Sequence, residues 1–525
     1  MKKNSMLPFL QCALSVCLFV LAQPGFVFKT GCAFFAWFAY IPLFLFLDSA
    51  SIRRSVASGF FYGAVSYFFF CFWLSSYGVV AISFVCFLFA TYYALLFFLI
   101  AFAKRYMPPR CERFFWLVRC CIFLTVEYVR TRGVFGFSYG IIGYTQWRNP
   151  VFLKFACLFG IWGVSFIIML VNSLCAQIIA ERSISKRVRE IRLCLSLLLA
   201  LHLFYGISDV MKNETKSRTL KIALIQNASS ADSASLDAYE RDVFRLEALT
   251  DAALRLYPDI QLIVWPETAV VPDIFYYLNH PRDRQRHELS LQVTAYIKTT
   301  QKSFIVGNSY FDGSETHNSA LYFDSVQKNV AVYSKNHLVP FTEYWPKFLD
   351  FPCFEPIKTR LNCDFFTAGT DITVFSFDST HFCVPICFED SFAPFVRKMK
   401  QSGADFFVNI SDDAWAHSRA AQNIHLSMSV FRSAECAVPF VRSTIDGVTC
   451  VINENGAVTE QLESGTDDFL VSDVAIPAHG NTMYVLLGDF CVIVLSCLTG
   501  VLLLILSIRF VKVRLLCQKK IRKRT

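Results

Sequence analysis

Val384-Pro385-Ile386-Cys387-Phe388-Glu389-Asp390 is the stretch around which the rest of the sequence is arranged. The run before it, Ile372-Thr373-Val374-Phe375-Ser376-Phe377, alternates apolar and polar residues as a half-buried strand does. The pattern predicts a strand stopping in a sharp turn at Cys387, with a helix from about Ser391. A cysteine beside a helix N-terminus meets first-turn N–H groups and the positive end of the dipole, and both favour a thiolate. The sequence holds 20 cysteines, however. Most cysteines pack as small apolar residues, so the neighbouring segments must decide whether Cys387 is a nucleophile.

Reading upstream, Leu220–Asn227 is a strand, and residues 236–256 form an amphipathic helix with Val243, Leu246, Leu249, Ala253 and Leu254 roughly on one face. Gln261–Trp265 is an apolar strand stopped by Pro266, and Glu267 follows at once. A carboxylate at the end of a buried strand can serve as a general base; the alternative is a capping or solvated turn glutamate. Phe304–Asn308 is a further strand. Asn318–Phe323 and Val330–Tyr333 read as a hairpin, and Lys335 ends its second strand. A lysine there is ordinarily a solvated cap. Downstream, Ala404–Ile410 is a strand, Ser411–Trp415 a turn, and residues 418–436 a helix. Pro439–Arg442 and Val448–Ile452 pair around Asp446-Gly447. Alternation of this kind indicates an α/β or layered αββα domain.

The remainder of the chain is a different material. Of the 525 residues 54% are hydrophobic, 17% are charged and 55 are Phe, a composition that points to a membrane protein. Apolar runs fall at 7–25, 31–48, 57–78, 82–103, 114–129, 151–178, 191–208 and 483–508. Several approach the ~20 residues that a spanning helix needs. The first is expected to be an uncleaved span and not a signal peptide, because a second apolar run follows directly. Lys and Arg concentrate in alternate loops: Lys2-Lys3, Arg53-Arg54, Lys104 to Arg113, Arg182 to Arg192, and a tail from Lys512 to Arg524. By the positive-inside rule both termini are then cytoplasmic and residues 210–480 lie outside. The same loops account for the net charge of +9, so nucleic acid is not an expected partner. The expected organisation is a transmembrane domain of about seven helices over 1–210, an extracytoplasmic catalytic domain over 218–478, a closing span over 483–510 and a basic cytoplasmic tail over 511–525. No Cys-x-x-Cys or His/Cys cluster has zinc spacing, and there is no phosphate-binding glycine loop, so neither metal nor cofactor is expected. Cys353 and Cys363 share a loop, and their spacing leaves a disulfide undecided.

Glu267, Lys335 and Cys387 stand at strand ends far apart in sequence. A thiol nucleophile needs a base, and the oxyanion that it creates needs donors. These three side-chain types supply both without histidine. Trp265-Pro266-Glu267, the segment Lys335 to Tyr344 with His337-Leu338-Val339-Pro340-Phe341 inside it, and Ile386-Cys387-Phe388-Glu389 resemble the three motifs of the nitrilase superfamily. With the flanking spans they resemble its membrane-bound branch, the apolipoprotein N-acyltransferases. The resemblance covers nearly the whole chain. It implies an αββα sandwich outside a bacterial inner membrane, on the periplasmic side. It also implies acyl transfer from a phospholipid to the α-amino group of the diacylglyceryl-cysteine of an apolipoprotein, through a thioester. On that resemblance Cys387 is the nucleophile, Glu267 the base and Lys335 the charge stabiliser. The Phe388 N–H helps to hold the oxyanion, Glu343 and Glu389 orient the reacting groups, and Trp415 lines the substrate site. A membrane-tethered amidase or nitrilase acting on small molecules is the alternative. The chain departs from the usual pattern in having Phe388 for Tyr, Asp412-Asp413 for Asn-Asp, and Thr342 for Gly. The family's Trp ahead of the first domain helix is not evident around Ser235-Leu236-Asp237.

Ile274–Leu278 and Trp345–Pro352 are too apolar for solvated loops. They are expected either to pack on the domain core or to reach into the lipid interface as arms. Glu127, near the end of the fifth run, needs a cationic partner such as Arg130 or Arg132. The charge pattern gives a direct test of topology. A cysteine introduced beside Thr525 is expected to stay unlabelled when a membrane-impermeant thiol reagent is applied to the outer face of oriented membranes. Labelling from that face would reverse the orientation.

Overall fold

A computed structural model of the protein describes residues 6–522 apart from 134–135, 182, 211–216, 230–234, 362–364 and 479. Cys363 therefore lies outside the described residues, and with it the question of a bond to Cys353. The chain divides into two compact units, Met1–Lys212 with Leu486–Thr525, and Asn213–Val485.

The first unit is helical: α1 (Leu7–Ala22), α2 (Ala33–Ala36), α3 (Ile41–Ser49), α4 (Ile52–Phe70), α5 (Val79–Tyr106), α6 (Phe115–Val129), α7 (Pro150–Ala180), α8 (Ile184–Val210) and, after the second unit, α16 (Phe490–Arg522). Among the described residues α5, α7 and Phe490–Leu516 of α16 are each long and apolar enough to cross a membrane. The helices pack through small residues. A Cβ on Gly63 would come within 2.3 Å of the Phe89 carbonyl oxygen, and one on Gly59 within 2.5 Å of that of Tyr93. The two glycines stand four apart on α4, so α5 approaches its backbone closely along one face. The buried ionisable groups are paired, as a low-dielectric interior requires. Arg119 donates to Asp48 (3.2 Å), to the Ser173 hydroxyl (2.9 Å) and to the Ser173 carbonyl (2.8 Å). Glu127 accepts from Arg130 Nε at 2.9 Å, and Arg130 goes on to the carbonyls of Phe137 and Tyr139.

The second unit holds twelve strands among the described residues: β1 (Ser217–Gln226), β2 (Leu262–Val264), β3 (Ser303–Phe311), β4 (Thr316–Phe323), β5 (Val330–Ser334), β6 (Phe375–Phe377), β7 (Thr380–Cys383), β8 (Phe406–Asp412), β9 (Phe440–Ile445), β10 (Cys450–Ile452), β11 (Val458–Gln461) and β12 (Asp468–Pro477). They form two six-stranded sheets, ordered β12-β1-β2-β3-β4-β5 and β11-β10-β9-β8-β7-β6. Each has a parallel centre, β1-β2-β3 and β7-β8-β9, with antiparallel strands outside it. Parallel neighbours need crossover connections. These are α9 (Leu236–Leu256), α10 (Ile274–Asn279) with α11 (Arg284–Thr300), α13 (Ala393–Gln401) and α14 (Arg419–Cys436). The remaining short helices are α12 (Glu355–Leu361) and α15 (Met483–Leu487). The result is a nitrilase-like αββα sandwich.

Local sequence explains the elements. Ser235 caps α9 by accepting from the Ala238 N–H, and Val243, Leu246, Thr250 and Ala253 form its buried stripe. Central strands covered on both faces read as unbroken apolar runs, and Leu262, Ile263 and Val264 are all fully buried. Trp265 Nε1 donates to Thr250 Oγ1 at 3.0 Å, fixing the end of β2 to α9. The sheets meet through Ser443 of β9, whose hydroxyl donates to the Ile225 carbonyl at 2.7 Å. One segment differs from expectation, and a second takes one of the two places expected for it. Residues 387–391 tighten into a 3-10 turn, and α13 starts at Ala393 with Pro394 inside its first turn, where a missing N–H costs nothing. Ile274–Leu278 is no lipid arm. It lies in α10, capped by Asp273, with Ile274 fully buried and Phe275 and Leu278 packed on the core of the first sheet. In the second aromatic stretch Trp345 is buried and Phe351 is exposed.

Gly307 in β3 is the tightest contact behind the Glu267 turn. A Cβ there would lie 2.3 Å from the Pro266 carbonyl oxygen and 2.6 Å from Glu267 Cα. Overpacking of this kind costs about 1–3 kcal/mol. Gly307→Ala is therefore expected to lower the melting temperature of the detergent-solubilised protein and to displace Glu267. An unchanged melting temperature would show that the turn yields without cost.

Candidate active site

The chemistry-bearing residues sit at the C-terminal ends of strands drawn from both sheets. Glu267 follows β2, Lys335 follows β5, Cys387 follows β7, and Asp412 ends β8. In sheets with parallel centres these ends are where side chains converge on a ligand.

The structure brings Glu267, Lys335 and Glu343 into direct contact. Lys335 Nζ donates to Glu267 Oε1 and to Glu343 Oε1, both at 2.9 Å. Asn318 Nδ2 joins the same two oxygens at 2.8 and 2.7 Å. Glu267 Oε2 accepts the Asp412 N–H (2.9 Å), and Glu343 Oε2 accepts the Val339 N–H (2.6 Å). Lys335 is almost fully buried. Burial opposes its charge, but Glu267 and Glu343 hold its proton, so it binds a proton well above the ordinary lysine range.

Cys387 takes the left-handed conformation, φ +51°, as does Thr268 beside Glu267, φ +50°. A non-glycine residue adopts it only where its surroundings impose it. Here the Cys387 carbonyl accepts from Asn409 Nδ2 (3.1 Å) and faces His425 Nε2 (3.3 Å), and Asn409 also holds the Pro385 carbonyl (2.8 Å). Burial pushes the Cys387 thiol well up, and the Glu267 charge adds to it; Lys335 and a hydrogen bond with Ser411 pull the other way. The resting thiol is consequently protonated. A group that reacts through sulfur here has to lose its proton at the moment of attack.

Glu389 connects the two halves of the site. Its Oε1 accepts the N–H groups of Asn336 (2.6 Å) and His337 (3.0 Å), directly after Lys335. Its Oε2 accepts the Ile386 N–H (2.8 Å), directly before Cys387, and Tyr333 donates its hydroxyl to the same carboxylate. Burial raises the Glu389 carboxyl to about 7. Phe388 is half-buried with its ring edge-on to Phe392 at 4.9 Å, and Trp415 is half-buried in the 3-10 turn Ala414–Ala416.

A second buried cluster was not legible in the sequence. Asp390 and Asp413 are bridged by His425, at 3.0 and 2.9 Å, and by Arg442, at 2.9 and 3.2 Å. Although burial opposes its charge, the two aspartates raise His425 to about 9. The four charges then cancel. Beside this cluster Asp412 is pushed up to about 7 by burial and by the Glu267 charge.

A cysteine on a strained turn, with glutamate and lysine at neighbouring strand ends of an αββα sandwich, places this unit among carbon-nitrogen hydrolase-type domains. Residues 221–482 match the carbon-nitrogen hydrolase family, and residues 15–174 match the apolipoprotein N-acyltransferase N-terminal domain. Apolipoprotein N-acyltransferase 1 of Treponema denticola is 32% identical over 93% of this chain and 95% of its own. Apolipoprotein N-acyltransferase 1 of Treponema pallidum is 32% identical over 92% and 93%. The apolipoprotein N-acyltransferase of Geobacter metallireducens is 27% identical over 94% and 93%. The chain belongs to the apolipoprotein N-acyltransferase family.

Glu389→Gln keeps shape but replaces one acceptor oxygen with an NH2 group. Whichever way the amide turns, that group faces backbone N–H donors. Each buried donor left unpaired costs about 1–3 kcal/mol. Glu389→Gln is expected to unfold at lower denaturant and to slow alkylation of Cys387, and to do both more than Tyr333→Phe, which loses one donor. Equal effects of the two substitutions would remove Glu389 as the connecting group.

Proposed function

We propose that the protein transfers an acyl chain from a phospholipid to the α-amino group of the N-terminal diacylglyceryl-cysteine of apolipoproteins, through a thioester on Cys387. The observation that carries this reading is the Lys335 ammonium held between Glu267 and Glu343 at 2.9 Å, electrostatically coupled to the Cys387 thiol. It stands in a chain whose full-length relatives are named apolipoprotein N-acyltransferase. The long apolar helices suit an enzyme whose acyl donor is a membrane lipid. The alternating Lys and Arg loops support a multi-pass protein of the bacterial inner membrane, with about seven spans before the catalytic domain, that domain on the periplasmic side and the basic tail in the cytoplasm.

Glu267 takes the thiol proton as sulfur attacks the ester carbonyl. Lys335 stabilises the charge that grows on the carbonyl oxygen, with the Phe388 N–H as a second donor. Collapse breaks the ester C–O bond, and the departing alcohol takes the proton from Glu267, leaving a thioester and a lyso-phospholipid. The acceptor amine then attacks the thioester, Glu267 carries a proton from nitrogen to sulfur, and the free thiol returns. Glu343 keeps Lys335 in place, Glu389 fixes the distance between the lysine loop and the cysteine turn, and Trp415 contributes to the substrate wall. Loss of one oxyanion donor in such a site costs about 10²–10³ in rate.

Incubation with phospholipid alone is expected to add one acyl mass, released by neutral hydroxylamine. Cys387→Ala should abolish both lyso-phospholipid release and lipopeptide acylation. Cys387→Ser should be nearly as poor, because a carboxylate is a weak base for a hydroxyl. With both substrates the initial-rate lines should run parallel. An acyl mass on Cys387→Ala, or intersecting lines, would overturn the covalent route. Hydrolysis of small amides without transfer to a lipopeptide would favour an amidase.

A further inference from the structure

The acceptor presents a proton balance that Glu267 alone does not close. An N-terminal α-amine has a pKa of about 7.7–8.0, so near neutrality it arrives largely as an ammonium. To become an amide it must lose two protons. One follows the route already described, through Glu267 to the departing sulfur. The other has to leave before nitrogen has a lone pair with which to attack; where the usual family pattern has Asn, this chain has the carboxylate of Asp412 to take it.

Asp412 is placed to be that base. It ends β8 and is the one residue of the strand that is not fully buried. Its own N–H donates to Glu267 Oε2 at 2.9 Å, on the opposite oxygen from Lys335, so the two residues are locked side by side. Its Oδ1 accepts the Ala414 N–H at 3.0 Å, which fixes the carboxyl. Among the described residues no cation forms an ion pair with it. After burial, the charges that most raise its proton affinity are those of Glu267, Asp413 and Asp446. Lys335 is already shared by Glu267 and Glu343. Asp413 is neutralised by His425 and Arg442, and Arg419 approaches Asp446 at 3.8 Å. The Glu267–Lys335–Glu343 group thus keeps one uncompensated negative charge and Asp412 adds another. A site so charged attracts an ammonium.

We propose that Asp412 receives the ammonium of the acceptor beside the thioester and takes the first of its two protons. The inference rests on the acyl-transfer reading above. The carboxylate of Asp412 removes H+ from R–NH3+ to give R–NH2 and a carboxylic acid. The amine attacks the thioester carbon, the C–S bond breaks, and the second proton passes from nitrogen through Glu267 to sulfur. Asp412 then releases its proton to water. Its raised affinity for a proton suits both steps, since it is near that of the amine it serves.

The experiment separates the two half-reactions. The full-length protein is acylated with phospholipid, and loss of the acyl-enzyme is then followed against the concentration of a diacylated lipopeptide and against pH. Asp412→Asn is expected to slow the second step at neutral pH by about tenfold or more beyond any loss in the first. The rate should recover as pH rises and the amine frees its own lone pair, and Asp412→Glu should retain part of it. The wild-type second step is an independent readout: its acid limb should lie near 7, below that of the free amine. Equal losses in both half-reactions, no recovery at high pH, or a wild-type limb at the amine's own pKa would overturn the role of Asp412 alone. Failure of the wild type to form an acyl-enzyme would overturn the acyl-transfer reading instead.

Discussion

One buried ammonium shared by two carboxylates is the constraint on which the catalytic unit turns. Lys335 is almost fully desolvated, and each of its contacts to Glu267 and Glu343 is 2.9 Å. Taking such charges out of water costs several kcal/mol per ion, offset only when geometry and additional hydrogen bonds are both good. Asn318, the Asp412 N–H and the Val339 N–H supply those additional bonds. Removing Lys335 would leave two buried carboxylates with no cation between them, so the ends of β2, β5 and β8 and the start of β4 have to lie where they do. The site is therefore a condition on how the two sheets align as well as a product of it.

The same logic, with the charges fully cancelled, holds the Cys387 turn. Asp390, Asp413, His425 and Arg442 form a closed set of two anions and two cations around the Cys387 carbonyl. Its neutrality matters for the thiol. Asp413 still adds to the rise of the Cys387 thiol, after burial and Glu267, and Lys335 opposes it. Glu389 then sets the separation between the two assemblies, with acceptor oxygens turned to the backbone on either side.

Much of the architecture was legible because periodicity reports burial. The helix read over 236–256 and the strands read over Gln261–Trp265 and Val330–Tyr333, found at Leu262–Val264 and Val330–Ser334, follow directly from where apolar residues recur. Glu267, Lys335 and Cys387 stand out because a polar residue directly after an apolar strand is conspicuous. Asn318 and Arg442 do not. Each lies within a strand, where alternation makes a polar residue unremarkable, and the partners of each are distant in sequence. The coincidence of His425 with two aspartates on other elements was the available clue, and it needs the topology to be seen. Ile274–Leu278 stayed undecided for a different reason: aromatic composition is the same whether a segment faces lipid or the core of a sheet, and only packing separates the two.

The division of the site between two sheets bears on biogenesis. Glu267 and Lys335 belong to the first sheet and Cys387 to the second, and Arg442, which closes the cluster behind the cysteine, comes last in the sequence. A nascent chain that has not yet delivered β9 has a cysteine whose turn is unsupported. Its thiol is no more nucleophilic than any other in the chain. Reactivity is thus a property of the completed sandwich, and an unfinished chain is chemically mute.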